Sequence, residues 1–243
     1  MSTDRQHTLI PMAGILGLSL VIGLGILGFF FQQTAIKFKE YERIVTVKGL
    51  SEREVMADTV IWPIQFTLAD NDLPTLFTTL DQQSQQVITF LAKQGIEEEA
   101  ISFSSPAVID KKAQQYGSDA QVEYRYLATQ TLTVYSSHVD RVRQAISQIG
   151  QLGKQGIVFN QDGYSNRVEY FFSRLNDIKP DMIEEATKQA REVALKFAKD
   201  SQSQLGKIKR ASQGQFSITD RDNNTPYIKK IRVVSTVEYY LSD

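Results

Sequence analysis

The amino-acid sequence predicts an α+β domain with antiparallel sheets, preceded by one transmembrane helix. An uncharged apolar run at residues 9–31 is long enough for a helix to cross a bilayer, which takes about 20 residues. The rest of the chain changes repeatedly between the two-residue period of strands and the 3.6-residue period of helices. The strands come in consecutive pairs, and pairs joined by short turns favour antiparallel pairing.

Composition narrows the possible functions. The chain has 243 residues and a formal net charge of −1, and 42% of its residues are hydrophobic. These values exclude a disordered tail and a basic nucleic-acid-binding protein. The chain contains no cysteine, so thiol nucleophiles, disulfides and cysteine zinc sites are excluded together. The length left after the apolar run allows one large domain or two small ones.

Four segments organise the chain. Residues 1–8 are an N-terminal tail, 9–31 a transmembrane anchor, 32–43 a tether and 44–243 the folded domain. We interpret the apolar run as an uncleaved anchor, because the apolar core of a signal peptide is shorter, about 7 to 15 residues. A cleaved signal peptide is the alternative. Basic residues flank both ends of the run, so the positive-inside rule alone does not orient the domain.

The folded domain begins with two predicted strands and a helix. A short strand lies within 42–49, and a second, 59–69, alternates with one apolar face. Pro63 lies on the opposite face and predicts an edge strand or a bulge, since proline has no N–H to donate. The charged residues 52–54 between the strands predict a solvated turn. Apolar residues at helical spacing predict a helix over 71–95, with proline in its first turn and glycine at its end.

The same rhythm continues to the C-terminus. Two further strand pairs are each followed by a helix, and the first of these pairs begins with a strand over 101–113. A last pair, which begins with a strand over 206–220, ends the chain, so the predicted order is (ββα)3ββ. A polar turn at 116–119 joins the second pair. The longest helix, within 179–206, carries both an apolar stripe and a ridge of alanines that allows close packing on a sheet. The stripe consists of Ile183, Ala186, Ala190, Val193 and Phe197, and the ridge of Ala190, Ala194 and Ala198.

Four stretches in this order resemble one family, the SIMPL-domain family. The first, IVTVKGLSEREVMADTVIWPIQF at 44–66, is similar to the opening pattern of the family: a V-x-V-x-G strand, then a small residue and an aspartate before a long strand. Here Gly49 matches, Ser51 stands where a second glycine is often found, and the usual proline is absent at Ala57-Asp58. The other stretches are GIEEEAISFSSPAVID, EEATKQAREVALKFAKDSQSQLGKIKRASQG and IRVVSTVEYYL.

The resemblance carries its own expectations. It implies an α+β fold, an extracytoplasmic location in Gram-negative bacteria and assembly into large hollow homo-oligomers. Bacterial members are loosely linked to envelope and oxidative-stress responses. No enzymatic mechanism is established for the family, so the resemblance supplies no catalytic, cofactor-binding or metal-binding residue.

Three carboxylates form a candidate polar cluster: Glu52, Glu54 and Asp58. A hydrolase that uses a carboxylate pair needs two acids that face each other across a cleft. Glu52 and Glu54 share a side only if the first strand persists through them. We favour a turn in which both are solvated, with Asp58 bonded to nearby backbone N–H groups. No catalytic residue is assigned.

Other polar residues give weaker signals. His138 precedes a predicted helix, and no serine-nucleophile motif accompanies it. Asp220, Asp222 and Asn224 have the spacing of a calcium loop, but Thr225 stands where that loop requires glycine. We expect a polar hairpin tip there and assign no metal or cofactor site.

These observations favour a non-enzymatic protein of the cell envelope. One helix holds it in the inner membrane, and the periplasmic domain forms a homo-oligomer through tyrosine-rich segments that include Tyr124 and Tyr126. The alternative is a periplasmic module that binds a small molecule, a peptide or a glycan. A hydrolase that uses the carboxylate cluster is the third hypothesis. We expect no nucleic-acid partner and no cofactor, and the sequence leaves other partners open.

Overall fold

A computed structural model describes residues 6–40, 43–113, 123–160 and 166–242. The polar turn predicted at 116–119 lies outside the described residues. The chain divides into two compact units. The first unit consists of Met1–Ser51, Pro180–Phe216 and Val233–Asp243, and the second unit of Glu52–Lys179 and Ser217–Arg232.

The described residues form helices and strands in an order close to the predicted one. In chain order these elements are α1 (Gln6–Glu40), β1 (Ile44–Met56), β2 (Thr59–Asp70), α2 (Leu73–Lys93), a 3-10 turn (Glu98–Ala100), β3 (Ile101–Phe103), β4 (Ala107–Asp110), β5 (Tyr126–Ser136), α3 (Val139–Gln148), α4 (Gly150–Gly153), β6 (Val158–Phe159), β7 (Glu169–Phe171), α5 (Leu175–Asp200), β8 (Gln204–Gln213), β9 (Ser217–Asp220) and β10 (Ile228–Ser242).

Helix α1 contains the apolar run. Its segment Gly17–Thr34 has a mean hydropathy of 1.5, and all of its side chains are exposed. By length and composition this segment can cross a membrane, either as an anchor or as a signal peptide. The helix continues past residue 31, so the predicted tether is helical as far as Glu40. Residues 41–42 lie outside the described residues.

The sheet of the first unit has the strand order β1-β10-β8. Strand β10 runs antiparallel to β8, from the pair Ser235–Gln213 to the pair Ser242–Gln204. Helix α5 packs on this sheet through its alanine ridge, and Ala190 belongs to one apolar cluster with residues of β1 and β10. The buried residues of α5 are Met182, Ala186, Ala190, Ala194 and Ala198.

Near the end of α5 the alanine ridge is the buried face, and the predicted stripe is not. Phe197 is 55% exposed, whereas Ala194 and Ala198 are buried, so the prediction for Phe197 was wrong. A ridge spaced by four residues drifts by about 40° per step around a helix of 3.6 residues per turn. The ridge has therefore turned away from Phe197 by the end of the helix. Both patterns are apolar, so periodicity alone could not choose between them.

Helix α5 approaches β1 so closely that position 49 has no room for a side chain. A Cβ atom on Gly49 would lie 1.8 Å from the carbonyl oxygen of Ala186 and 2.5 Å from the amide nitrogen of Ala190. Two residues further along the same face of β1, Ser51 is buried, and its hydroxyl donates to Oε2 of Glu185 at 2.8 Å. The glycine and the serine of the opening motif therefore both face α5.

The second unit is built on the central pair β2 and β5. These strands are antiparallel neighbours over their whole length, from Val60–Ser136 to Asp70–Tyr126. Strands β3 and β4 pair with the other side of β5, while β6 and β7 pair with the other side of β2. The apolar face of β2 is buried as its alternation predicted. That face consists of Val60, Trp62, Ile64 and Phe66, and it packs with Ala128, Leu132 and Val134 of β5.

The predicted α+β class and the pairwise order of its elements are confirmed. Two predicted strands are each broken in two. The strand predicted over 101–113 becomes β3 and β4, because Pro106 between them cannot donate to a ladder. The strand predicted over 206–220 becomes β8 and β9, because residues 214–216 form a one-residue bulge against β10.

Strand β2 is an inner strand, and Pro63 lies in unbroken register with β5. The edge or bulge predicted from this proline was therefore wrong. On the opposite side, β7 pairs with β2 as far as Ile61 and β6 pairs from Phe66. The carbonyl of Gln65 points to that side, where it accepts from the amide of Asn160 at 2.9 Å. By strand alternation the nitrogen of Pro63 points to the same side, into the gap between β7 and β6.

Gly49→Ala tests the close approach of α5. We expect it to lower the free energy of unfolding by about 3 kcal/mol, because a methyl group must push the helix backbone away. For a chain of this size that loss lowers Tm by about 6 to 12 °C, which thermal denaturation of the detergent-solubilised chain followed by circular dichroism measures. Gly150→Ala is the control, since a Cβ there has nothing within 4 Å. Equal Tm values for the two variants would contradict the contact.

Candidate functional site

Glu52, Arg53 and Glu54 lie inside strand β1 and not in a turn, so the turn interpretation was wrong. The strand persists because its charged residues pair across the sheet with β10. The Oε2 atom of Glu52 lies 3.1 Å from Nζ of Lys230, and its Oε1 lies 3.3 Å from Nε of Arg232. The complementary charges of SERE and IKKIR are the signal in the sequence, but the sequence does not say which strands are neighbours.

Glu54 shares the guanidinium of Arg221 with Asp222. Its Oε2 lies 3.6 Å from Nη1 of Arg221. Exposed pairs of this kind contribute only about 0 to 1 kcal/mol each, so their main effect is to favour one strand register. Glu52 and Glu54 project from one side of one strand and do not face each other.

Asp58 ties two distant segments of the second unit together. Its carboxylate accepts from the backbone amides of Ser173 at 2.9 Å and Arg174 at 3.2 Å, and from the hydroxyls of Ser173 and Thr59 at 3.0 Å each. The predicted bonding to backbone N–H groups is confirmed, although the groups come from the segment before α5. Burial by itself raises the pKa of Asp58, but the hydrogen bonds outweigh it and hold that pKa below its usual value.

The structure therefore does not join the three carboxylates in one site. Glu52 binds cations of β10, Glu54 binds Arg221, and Asp58 binds the segment before α5. None of the three shares a hydrogen-bonding partner with another. Glu52 and Glu54 form ion pairs, while the half-buried Asp58 anchors a loop.

The two tyrosines of the predicted interface differ in their surroundings. Tyr124 is 43% exposed, whereas Tyr126 is half-buried against the core of the second unit. The guanidinium of Arg125 lies over the Tyr126 ring, with Cζ 4.8 Å from its centroid, and binds the carboxylate of Asp110 through Nη2 at 2.8 Å. Tyr124 is thus available for an intermolecular contact, while Tyr126 also supports the fold. Their place in an interface stays a prediction.

Strand β8 presents an open edge. Within the described residues it has a neighbour, β10, on one side only, and nearly every residue of β8 is exposed. The amide of Gly214 donates to the carbonyl of Val234 in β10. By alternation, the amides of Ala211 and Gln213 point away from the sheet. We call this outward side of strand β8 the β8 edge.

A groove of about 720 Å³ lies between α5 and β8. Ile208 is in register with Tyr239 of β10, so it lies on the sheet face that α5 covers, yet it is 49% exposed. Helix α5 covers β1 and β10 but only the start of β8, where Leu205 is half-buried against the apolar cluster of α5. The apolar face of the sheet therefore ends in an uncovered margin, which Lys188 and Arg191 of α5 flank.

A second groove, of about 460 Å³, lies inside the second unit. The guanidinium of Arg143 stacks on the ring of Tyr227, with Cζ 3.4 Å from the centroid, and Tyr227 meets Tyr170 edge-on at 6.1 Å. No local pattern in the sequence indicates this groove, because three separate segments of the chain form it. We call it the arginine groove. It is lined by Arg143, Ile146, Ser147, Arg167, Val168, Tyr170, Asp220, Asn223, Asn224, Pro226 and Tyr227.

The remaining candidates lie in turns. His138 directly precedes α3, as predicted. Asp222 accepts from the amides of Asn224 and Thr225 at 2.8 Å each and closes the predicted polar tip between β9 and β10. The hydroxyl of Thr225 and the guanidinium of Arg221 lower the pKa of Asp222 to about 2. Among the described residues, no group of three acidic or histidine side chains is placed to hold a metal ion.

These features define an α+β protein with antiparallel sheets and an apolar N-terminal helix. The profile of the SIMPL family, described as a protein of unknown function (DUF541), matches residues 45–238. The match covers most of the chain, so the chain belongs to the SIMPL family. No curated protein matches the chain.

Asp58→Asn tests the loop anchor. We expect it to lower the free energy of unfolding at neutral pH by about 1 to 2 kcal/mol, since an amide cannot satisfy the same set of donors as a carboxylate. The folded-state pKa of Asp58 is lowered, so its stabilisation is present above the unfolded pKa of about 3.9 and is lost as the pH falls through the folded pKa. Urea denaturation from pH 7 to pH 3 measures the difference from wild type.

Asp81→Asn is the control for Asp58→Asn, because Asp81 is exposed on α2. The gap between Asp58→Asn and wild type should shrink below about pH 4, while Asp81→Asn stays close to wild type throughout. A gap that is constant over the whole pH range would mean that the charge of Asp58 does not stabilise the fold.

Proposed function

We propose that the protein is a non-enzymatic, membrane-anchored protein of the cell envelope whose folded domain assembles into a homo-oligomer. The observation that carries the proposal is the β8 edge, the side of strand β8 that has no neighbouring strand among the described residues, next to an uncovered apolar margin. The apolar helix α1 supports the membrane anchor. A link to envelope or oxidative stress rests on the family resemblance alone.

An open strand edge favours pairing with another strand. Outward amides and carbonyls form a template for strand addition unless charges, prolines or covering segments block it. Strand β8 runs over ten residues, contains no proline and carries lysines as its main protection. Strand β1 ends the same sheet on the opposite side. Pairing of the β8 edge of one subunit with β1 of the next would continue the sheet between subunits.

The uncovered margin adds apolar area to such a contact. Ile208 lies on the apolar side of the sheet and is not covered by α5. Leu195, one turn beyond Arg191 on α5, is also exposed. Burial of side chains of this kind contributes about 1.5 to 3 kcal/mol each. A second copy of the chain is the partner that this surface favours, because each copy carries both an open β8 edge and a β1 strand at the other end of the same sheet.

Anchoring to a membrane strengthens weak lateral contacts. Helix anchors confine the domains to one plane, which raises their effective concentration. Contacts between two different edges are head-to-tail, and they close into a ring when the rotation between subunits permits. We therefore propose a cyclic homo-oligomer that stands on the inner membrane with its folded domains in the periplasm.

Ile208→Lys and Ala211→Pro test assembly at the β8 edge. The lysine places a charge on the uncovered margin, and the proline removes an outward amide while the ladder to β10 remains. We expect each to weaken subunit association by about 10- to 100-fold, the equivalent of about 1 to 3 kcal/mol. Mass photometry of the detergent-extracted chain should then show a shift from oligomer to monomer.

Val158→Lys is the matched control, since Val158 is also an exposed β-branched residue but lies on strand β6 of the second unit. Tyr124→Ser in the same experiment tests the predicted tyrosine interface and should also weaken assembly. Tyr126→Ser should mainly destabilise the fold, because that ring packs on the core. A wild-type chain that is a strict monomer at micromolar concentration would refute assembly.

The topology can be tested separately. We expect the N-terminus in the cytoplasm and the residues from about 37 onward in the periplasm, since a long domain can cross regardless of its flanking charges. A phosphatase fused after Asp243 should be active, and a fluorescent protein that matures only in the cytoplasm should be dark at the same position. The opposite pair of results would reverse the topology.

The alternative function is a periplasmic module that binds a small molecule, a peptide or a glycan. The arginine groove favours this alternative, since Tyr170 and Tyr227 line an opening with polar groups around it. A hydrolase built on Glu52, Glu54 and Asp58 is less supported, because each carboxylate is engaged with different partners.

A further inference from the structure

We propose that the arginine groove binds a small organic oxyanion, that is, a carboxylate or phosphate group carried on an apolar body. The site lies within the second unit and does not depend on the assembly proposed above. Four properties of the groove lead to this ligand class: its two guanidinium groups, the compensation of its acidic groups, its neutral donors and its apolar wall.

Two arginines supply positive charge. The guanidinium of Arg143 stacks on Tyr227, a contact that fixes its plane and leaves its in-plane N–H groups for hydrogen bonding. One of these reaches the exposed Asp140 at 3.3 Å on the rim. Arg167, from the segment before β7, makes no ion pair within the described parts of the chain. A planar guanidinium binds carboxylate and phosphate oxygens in pairs, so this arrangement fits an oxyanion.

The acidic residues around the groove are already engaged. Asp220 lines it, but its carboxylate forms an ion pair with Lys229, whose side chain is almost fully buried. Asp222 is bonded to its own turn and to Arg221. Of the two lining arginines, Arg143 is partly compensated by the exposed Asp140, whereas Arg167 makes no ion pair among the described residues. An incoming anion therefore meets one unpaired and one partly compensated guanidinium.

Neutral donors and an apolar wall complete the site. Asn223 and Asn224 line the groove. Tyr170 adds a phenol hydroxyl, whose pKa burial raises. Ile146, Val168 and other apolar groups form the rest of the lining. The volume of about 460 Å³ lies within the usual range for small-molecule sites, about 300 to 1,000 Å³.

Isothermal titration calorimetry on the full chain in detergent tests the proposal. The probes are phenyl phosphate and 3-phenylpropionate, which combine an oxyanion with an apolar body. Inorganic phosphate supplies the anion alone, and 3-phenylpropanol supplies the body alone. We expect at least one of the first two to bind with a Kd below about 1 mM, and both controls to bind at least about tenfold more weakly. Comparison of the Kd values of phenyl phosphate and 3-phenylpropionate shows whether the groove prefers a phosphate or a carboxylate group.

Variants show whether the binding belongs to this groove. Arg143→Gln and Arg167→Gln should each weaken binding by at least about tenfold, because each removes a charged hydrogen-bond donor. Arg141→Gln is the matched control: it removes the same charge from the same helix, and Arg141 does not line the groove. It should leave the Kd within about twofold of wild type.

Two results would overturn the proposal: no binding of either organic anion below about 10 mM, or equal binding by wild type and Arg167→Gln. Arg167 is exposed and makes no ion pair among the described residues, so the Arg167→Gln variant should fold normally. The binding measured for this variant therefore decides the test even if Arg143→Gln does not fold. Mass photometry of the same samples measures their oligomeric state. A failure of assembly can therefore be distinguished from a failure of ligand binding.

Discussion

The contact between Gly49 and the backbone of α5 is the constraint on which the first unit depends. A side chain at this position would overlap the carbonyl oxygen of Ala186, so the helix can lie this close only on a glycine. The alanine ridge supplies the matching surface on the helix, since Ala186, Ala190 and Ala194 are fully buried. Close packing of the helix backbone on the strand leaves few voids. Because voids lower the stability of a core, this contact stabilises the first unit. The hydroxyl of Ser51 adds a hydrogen bond to Glu185 beside this contact.

The position of α5 on β1 and β10 also determines which part of the sheet the helix leaves uncovered. An α-helix is about 10 Å wide, and neighbouring strands are about 4.8 Å apart, so one helix covers about two strands. On the third strand, β8, Leu205 still packs at the margin of this cluster, but Ile208 is left uncovered. Among the described residues the outward amides of β8 have no neighbouring strand. The same packing that stabilises the first unit thus produces the surface to which we assign assembly.

In the second unit the charged residues fall into two groups, carboxylates that have partners and arginines that line a groove. The carboxylates that stood out in the sequence are matched by cations or by backbone amides, and matched charges do not make an active site. The arginines that line the arginine groove did not stand out in the sequence. Arg143 is paired only with the exposed Asp140, and Arg167 makes no ion pair among the described residues.

The sequence by itself determined the elements of this protein. The apolar helix, the α+β class, the order of strands and helices and the buried face of β2 all follow from local periodicity, which depends on residues close together in the chain. Only the tertiary structure decided that residues 52–54 continue a strand, that Pro63 lies in an inner strand and that Phe197 is exposed. Each of these depends on a neighbour far away in the sequence: the cations of β10, the gap between β6 and β7, and the sheet under the alanine ridge. Three segments that are far apart in the sequence form the arginine groove, so no local sequence pattern could predict it.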